Sequence, residues 1–346
     1  MLKTALSAWM LAGLSIVNAQ AAENIGFREI DLAQSAENRA LHVALWYPTA
    51  STEPVVSTGE NQVFFGGPAI LDAPIAGQAH PLVVLSHGYR GNWRNLSWLA
   101  TELVRQGYVV AAPNHPGTTS FDTRPEEAAR LWERPRDLSR VIDHLTQNPA
   151  LAGPVQGDRI AAIGHSLGGW TVTALAGARY SAQRLREECQ LHPSPRICGL
   201  APELGIAPEQ QSLLGQDLRD PRVKAFVSLD LGFARGFTAQ SLASIEQPIL
   251  VMGAGVDING DLPFQMESAH LIAQLPQDLV SSEKIADASH FSFMQKCKPG
   301  AVALLEKEAP GDEIICQDGD GRSREAIHRQ VADRVSTFLA KAIPPQ

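Results

Sequence analysis

The stretch Gly164-His165-Ser166-Leu167-Gly168-Gly169 carries the clearest chemistry in the chain. Before it, Arg159-Ile160-Ala161-Ala162-Ile163 reads as a buried strand. After it, Trp170-Thr171-Val172-Thr173-Ala174-Leu175-Ala176 reads as the start of a helix. A Gly-x-Ser-x-Gly turn between strand and helix pushes the serine onto a tight, strained bend with its Oγ exposed. Gly164 and Gly168 lack a Cβ, so strand and helix can approach closely. The N–H of Leu167, at the helix start, then points where an oxyanion would form. Serine is a weak nucleophile until a base takes its proton, so a histidine and an acid must reach Ser166 from elsewhere in the chain.

The elements that would position these groups follow a regular rhythm. Leu41 to Tyr47 reads as a strand stopped by Pro48, paired antiparallel with the segment from Gly26. Residues 51–80 read as a long loop whose Phe64-Phe65 either lines a cleft or caps the core. Strands follow at Pro81–Ser86, Tyr108–Ala112, Val223–Leu229, Pro248–Gly253 and Val280–Ile285. Helices are expected at Asn92–Gly107, Glu126–Gln147 (interrupted near Pro135), Pro263–Leu275 and Ser323–Ala342, the last with Ser323 as N-cap. Residues 179–221 break the rhythm and read as an insertion over the sheet rim, either a partial lid or a decorated surface loop. Cys297–Arg322 reads as irregular loop. Alternating strands and helices predict an α/β fold, a mainly parallel sheet covered on both faces, with its site at the carboxyl ends of the strands. Ser86-His87-Gly88, His115, Ser166, Asp230, Asp257 and His290 all fall at such ends.

Composition narrows the function. A formal net charge of −8 and the lack of a Lys/Arg-rich block argue against a nucleic-acid partner. Lys3, the apolar run Ala5–Val17 and the small-x-small Ala19-Gln20-Ala21 read as a signal peptide over residues 1–21. The run is too short for a membrane span. Residues 22–346 would then be one exported catalytic domain, periplasmic or secreted. In an oxidising compartment four cysteines suggest disulfides. Three pairings are possible, and Cys189–Cys198 with Cys297–Cys316 are the local choices. No Cys-x-x-Cys or close Cys/His cluster suggests a metal. Asp318-Gly319-Asp320-Gly321 lacks the EF-hand ligand spacing and reads as a solvated loop, so neither metal nor cofactor is expected.

Taken together, Leu45-Trp46-Tyr47-Pro48, Leu85-Ser86-His87-Gly88, the Ser166 turn, Ser228-Leu229-Asp230 and Ser289-His290-Phe291 resemble the α/β-hydrolase superfamily over roughly residues 40–340. More narrowly, they resemble the bacterial relatives of platelet-activating-factor acetylhydrolase, often labelled dienelactone-hydrolase-like. True dienelactone hydrolases use a cysteine where this chain has Ser166, and the insertion at 179–221 has no counterpart in that resemblance. The resemblance implies an α/β-hydrolase fold with His290 as base. It implies Asp230 as acid, with Asp257 as the alternative that the wider superfamily would use. It also implies Tyr89 as the second oxyanion donor beside Leu167. His87 and His165 read as packing or hydrogen-bonding beside the site, and His115 as either a residue supporting it from behind or a loop residue.

The expected activity is therefore serine ester hydrolysis through an acyl-enzyme, on a small-molecule or lipid ester with a short or medium acyl chain. A polyester or polymer hydrolase, and an amidase or peptidase, are the alternatives on the same fold. A non-catalytic binding protein would be expected to have lost part of the set.

Overall fold

A computed structural model describes residues 24–258, 260 and 262–345; the expected signal peptide lies outside them. The strands are β1 Asn24–Leu32, β2 Leu41–Thr49, β3 Val56–Thr58, β4 Gly67–Leu71, β5 His80–Ser86, β6 Val109–Pro113, β7 Val155–His165, β8 Val223–Leu229, β9 Ile249–Val256 and β10 Val280–Ser289. They form a 10-stranded sheet in the order β10-β9-β8-β7-β5-β6-β2-β1-β4-β3. From β10 to β6 every neighbouring pair is parallel, and β2 runs antiparallel to both β6 and β1.

The α-helices are α1 Ser97–Arg105, α2 Pro125–Ala128, α3 Glu133–Gln147, α4 Leu167–Leu175, α5 Ala182–Leu191, α6 Pro195–Leu200, α7 Gln211–Leu214, α8 Ala239–Ala243, α9 Ser268–Gln274, α10 Ala301–Glu308 and α11 Arg324–Ala342. Strand periodicity sorts the apolar residues onto two faces. Leu82 and Val84 pack with Leu138, Val141 and Ile142 of α3. Val83 and Leu85 pack with Leu99 and Leu103 of α1 and with Val331 and Val335 of α11. The central strands are therefore apolar on both faces, as a sheet covered on both sides requires. Truncating one such residue, Leu99→Ala, would cost about 2–5 kcal/mol.

The structure corrects several expectations. β2 runs through Pro48 to Thr49, because at that point it pairs only with β1 and the missing proline N–H is not needed on the β6 side. Residues 51–80 are not structureless: β4 pairs parallel with β1, and β3 pairs antiparallel with β4. Phe64 and Phe65 do not line the cleft; Phe64 bridges to Cys297, and the Phe65 N–H donates to Lys296 O (3.0 Å). The break between α2 and α3 precedes Pro135, which sits in the first turn of α3, where no N–H partner is required. Before Ser268, the expected helix at 263–275 consists only of turns. Cys297–Arg322 contains α10, whose Ala-Val-Ala-Leu-Leu-Glu-Lys-Glu is built mainly from strong helix formers.

Both local cysteine pairs are disulfides, with Cα separations of 5.8 Å (Cys189–Cys198) and 5.7 Å (Cys297–Cys316). No helix among the described residues is long and apolar enough to cross a membrane.

Candidate active site

Ser166 lies between β7 and α4, as the helix N-cap, at φ 58°, a conformation rare for a residue with a side chain. The turn is possible only because its neighbours are glycines. A Cβ on Gly164 would lie 1.9 Å from Gly168 O, and one on Gly168 would lie 1.9 Å from Ser86 O. The Ser166 N–H donates to Leu229 O (2.9 Å), which ties the turn to the end of β8. One residue further, Asp230 also has a positive φ (44°), and its N–H donates to Met252 O of β9 (2.7 Å). Hydrogen bonds along the sheet edge thus hold both strained residues.

His290 follows β10. Its Nε2 lies 3.0 Å from Ser166 Oγ, and its Nδ1 lies 2.6 Å from Asp230 Oδ2. The other Asp230 oxygen accepts the Ala254 N–H (2.8 Å). The His165 Nε2–H donates to His290 O (2.9 Å), and the two rings lie 4.7 Å apart. Burial, reinforced by the neighbouring His290, holds the His165 pKa well below the usual imidazole value, so it stays neutral beside the His290 ring. The structure thus brings Ser166, His290 and Asp230 into one hydrogen-bonded line. Asp257 lines the same cavity, but its Oδ2 accepts the Leu262 N–H (3.2 Å), and the His290 ring faces Asp230.

The turn after β5 comes up beside the serine: a Cβ on Gly88 would lie 3.1 Å from Ser166 Cβ. Its conformation is held from behind. His87 Nε2 accepts the His115 N–H (3.0 Å), so its Nδ1–H donates to Gly88 O (2.7 Å). That carbonyl belongs to the peptide whose N–H is Tyr89's. Among the described residues, neither the Tyr89 nor the Leu167 amide N–H has an acceptor, so both are available to a developing oxyanion.

These groups open into a cavity of about 540 Å³. Its apolar lining includes Leu200, Leu262, Met294, Ile314 and Ile315. Pro195 and Arg196, inside the first disulfide loop, form one wall with Leu200 and Glu203 just beyond it, and residues 311–315, inside the second disulfide loop, form another. The Tyr89 hydroxyl donates to Glu203, joining the turn after β5 to residues 179–221.

Sequence reasoning placed Ser86 and His115 near the site but missed Asp137, Arg39 and several other groups around it. Ser86 Oγ, His115 and Asp137 form a second serine–histidine–carboxylate line (2.9 and 2.8 Å), with Arg39 on the far side of Asp137. All three are buried, so no substrate reaches them. Glu267 accepts the Ala234 N–H (2.7 Å) just beyond Asp230, and burial raises its pKa to about 7. Asp318 is half-buried rather than free in solvent: Ser292 and Arg324 bond to its carboxylate. Among the described residues no His/Cys/Asp/Glu group has metal-holding geometry.

The chain belongs to the alpha/beta hydrolase family, whose model matches residues 83–303, more than half of its length. Among curated proteins it is 27% identical over 140 residues to a bis(hydroxyethyl) terephthalate hydrolase of Streptomyces coelicolor, covering 40% of this chain and 42% of that one. It is 35% identical over 83 residues to dipeptidyl-peptidase 5 of Porphyromonas gingivalis, covering 23% and 12%. It is 28% identical over 117 residues to cutinase est2 of Thermobifida alba, covering 33% and 36%. The matches thus span less than half of each of these relatives. A solved ferulic acid esterase from Streptomyces cinnamoneus superposes with TM-score 0.62 over 92% of this chain and 89% of that one, at 22% identity, and so shares the fold.

Proposed function

We propose that this chain is an exported serine hydrolase of carboxylic esters, acting through an acyl-enzyme. The observation that carries the reading is the line Ser166 Oγ–His290 Nε2–His290 Nδ1–Asp230 Oδ2, at 3.0 and 2.6 Å, open to a cavity of mixed apolar and polar lining.

Ser166 Oγ attacks the ester carbonyl while His290 Nε2 takes its proton. The carbonyl oxygen becomes an oxyanion, stabilised by the Tyr89 and Leu167 N–H groups. The intermediate collapses, the C–O bond to the alcohol breaks, and His290 returns the proton to the departing oxygen. Water then attacks the acyl-enzyme, giving its proton to His290, and the acid is released as Ser166 Oγ recovers the proton. Asp230 keeps the imidazole in the tautomer with Nδ1–H and stabilises the imidazolium. Residues 179–221 serve as a cap that shapes the acyl pocket, and the apolar side chains Leu200, Leu262, Met294, Ile314 and Ile315 offer a surface for a short to medium acyl or aryl group. The resemblance to acetylhydrolase-like esterases agrees with this reading. Export is supported by the leader-like pattern of residues 1–21 and by the two disulfides.

Names among the relatives favour a second reading, a polyester hydrolase, since a terephthalate ester hydrolase and a cutinase are among them. The test is hydrolysis of p-nitrophenyl esters from acetate to palmitate, with a polyester film alongside, by the mature protein and by Ser166→Ala. Turnover lost in the variant supports the serine mechanism, and unchanged turnover removes it. Film erosion comparable to soluble-ester turnover would favour the polymer reading.

A further inference from the structure

Arg134, in the first turn of α3, is buried, 1% exposed. Among the described residues no carboxylate contacts its guanidinium; the nearby Asp137 is occupied by Arg39 and His115. All its acceptors are neutral. Nε donates to Thr171 Oγ1 (2.9 Å) and Nη1 to Thr118 Oγ1 (2.5 Å). Nη2 donates to Ser86 Oγ (3.3 Å) and to His87 O. A buried cation that spends its donors on neutral oxygens is a costly way to hold a fold together, and this points to a role other than bulk stability.

Following those bonds outward gives that role. On one side, His87 O lies two residues before Tyr89, in the turn whose Gly88 carbonyl is held by the His87 ring. On the other side, Thr171 Oγ1 passes its own hydrogen to Leu167 O (2.9 Å), in the first turn of α4. Tyr89 and Leu167 carry the two candidate oxyanion donors. They come from separate elements, β5 and β7–α4, and their relative position sets the size of the hole. The third arm, to Thr118 Oγ1, braces the guanidinium against the loop after β6, because that hydroxyl donates to His115 O (3.1 Å).

We infer that Arg134 is a positioning residue of the oxyanion hole, a buried strut that fixes the Tyr89 N–H relative to the Leu167 N–H. It touches neither the substrate nor Ser166. The inference rests on the serine-hydrolase reading above. Lysine keeps the charge but not the fork, so it cannot bridge the two elements at once.

The test uses Arg134→Lys and Thr171→Val of the full mature chain. It measures kcat and KM on p-nitrophenyl acetate, the inhibition constant of phenylboronic acid, and melting temperature. Phenylboronic acid forms a tetrahedral adduct on a nucleophilic serine and so reads the hole. Small misplacement of catalytic groups costs about 10- to 100-fold, so Arg134→Lys should lower kcat and weaken boronic acid inhibition by a factor in that range. KM should stay within about twofold, since the acyl cavity is untouched. A folded Arg134→Lys enzyme with kcat and boronic acid affinity within about twofold of wild type would overturn the inference, as would losses confined to KM. If Arg134→Lys does not fold, Thr171→Val decides in its place: it cuts only the α4 arm, and the same paired loss of kcat and boronic acid affinity is expected. Unchanged values in Thr171→Val would overturn the inference. Failure of the underlying reading looks different: wild-type turnover would persist in Ser166→Ala, and boronic acid would not inhibit the wild type at all.

Discussion

Replacing Asp230 by asparagine changes one atom, and the structure says what that atom does. Asp230 Oδ1 accepts the buried Ala254 N–H (2.8 Å) and Oδ2 faces His290 Nδ1 (2.6 Å). An asparagine has one acceptor to place. If its oxygen stays on Ala254, its amide N–H₂ faces Nδ1, which must then accept, so the imidazole proton moves to Nε2. That nitrogen can no longer take a proton from Ser166. If the amide flips, two donors oppose each other at Ala254 in a buried site, at a cost of about 1–3 kcal/mol. The first arrangement therefore prevails, and the enzyme holds its base in the wrong tautomer. The same substitution in a serine–histidine–aspartate triad lowers kcat about 10⁴-fold; at about 1.36 kcal/mol per tenfold this is ~5.4 kcal/mol of transition-state stabilisation. Asp257→Asn can keep its oxygen on the Leu262 N–H (3.2 Å), so its kcat should stay within about threefold. The assay is kcat on p-nitrophenyl acetate near neutral pH, with a near-ultraviolet circular dichroism spectrum to show the fold intact. A 10⁴-fold loss in Asp257→Asn, or Asp230→Asn within tenfold of wild type, would refute the tautomer argument and return the acid's role to Asp257.

Acid should unfold the protein early. Burial holds the pKa values of His87, His115 and His165 well below the usual imidazole range, and that of His328 down to about 3. These rings are neutral in the fold but take up protons in the unfolded chain below about pH 6.5. Stability is therefore full above that pH and falls as pH drops below it, by up to about 1.36 kcal/mol per pH unit for each ring. Melting temperatures measured from pH 8 to pH 4 should decline steeply below about pH 6, and a flat profile would contradict the burial argument. Cys189→Ser/Cys198→Ser and Cys297→Ser/Cys316→Ser should each lose about 3 kcal/mol in denaturant titrations, from loops of 9 and 19 residues separation. Each should also shift the preferred acyl length, because each loosens a cavity wall; an unchanged chain-length profile would show that the walls hold without the crosslinks. Gly164→Ala puts a Cβ 1.9 Å from Gly168 O and should yield little soluble protein on expression, where wild-type yield would show that the elbow can relax.

What could be read from the sequence was what local sterics dictate. The turn at Ser166 needs glycines at fixed offsets, so it shows in the letters, and the strands that support it are continuous apolar runs because both of their faces are covered. His290 and Asp230 could be ordered along the chain by resemblance, although 124 and 60 residues separate the partners of their hydrogen bonds. Arg134 stayed invisible, since an arginine beside an apolar helix stripe looks like any solvated one; only tertiary packing buries it. Ile314 and Ile315 were lost in what read as irregular loop, because their place in the cavity wall depends on a chain reversal closed by Cys297–Cys316. β3 and β4 are short strands at one end of the sheet, rich in Gly, Pro, Ser and Thr, and their existence depends on β1 offering a free edge rather than on their own propensity.

The two disulfide-closed segments have a consequence for how such a molecule diversifies. Ser166, Asp230 and His290 sit on strand ends whose register the sheet enforces, whereas part of the cavity wall comes from stretches whose ends are clasped near one another, with Cα atoms under 6 Å apart (5.8 and 5.7 Å). A stretch that leaves and returns at nearly one point can be lengthened, shortened or exchanged without shifting any strand against its neighbour. Residues 190–197 and 298–315 are thus suited to exchange as cassettes, and a library confined to them would vary the cavity wall while leaving Ser166, Asp230 and His290 on their strand ends.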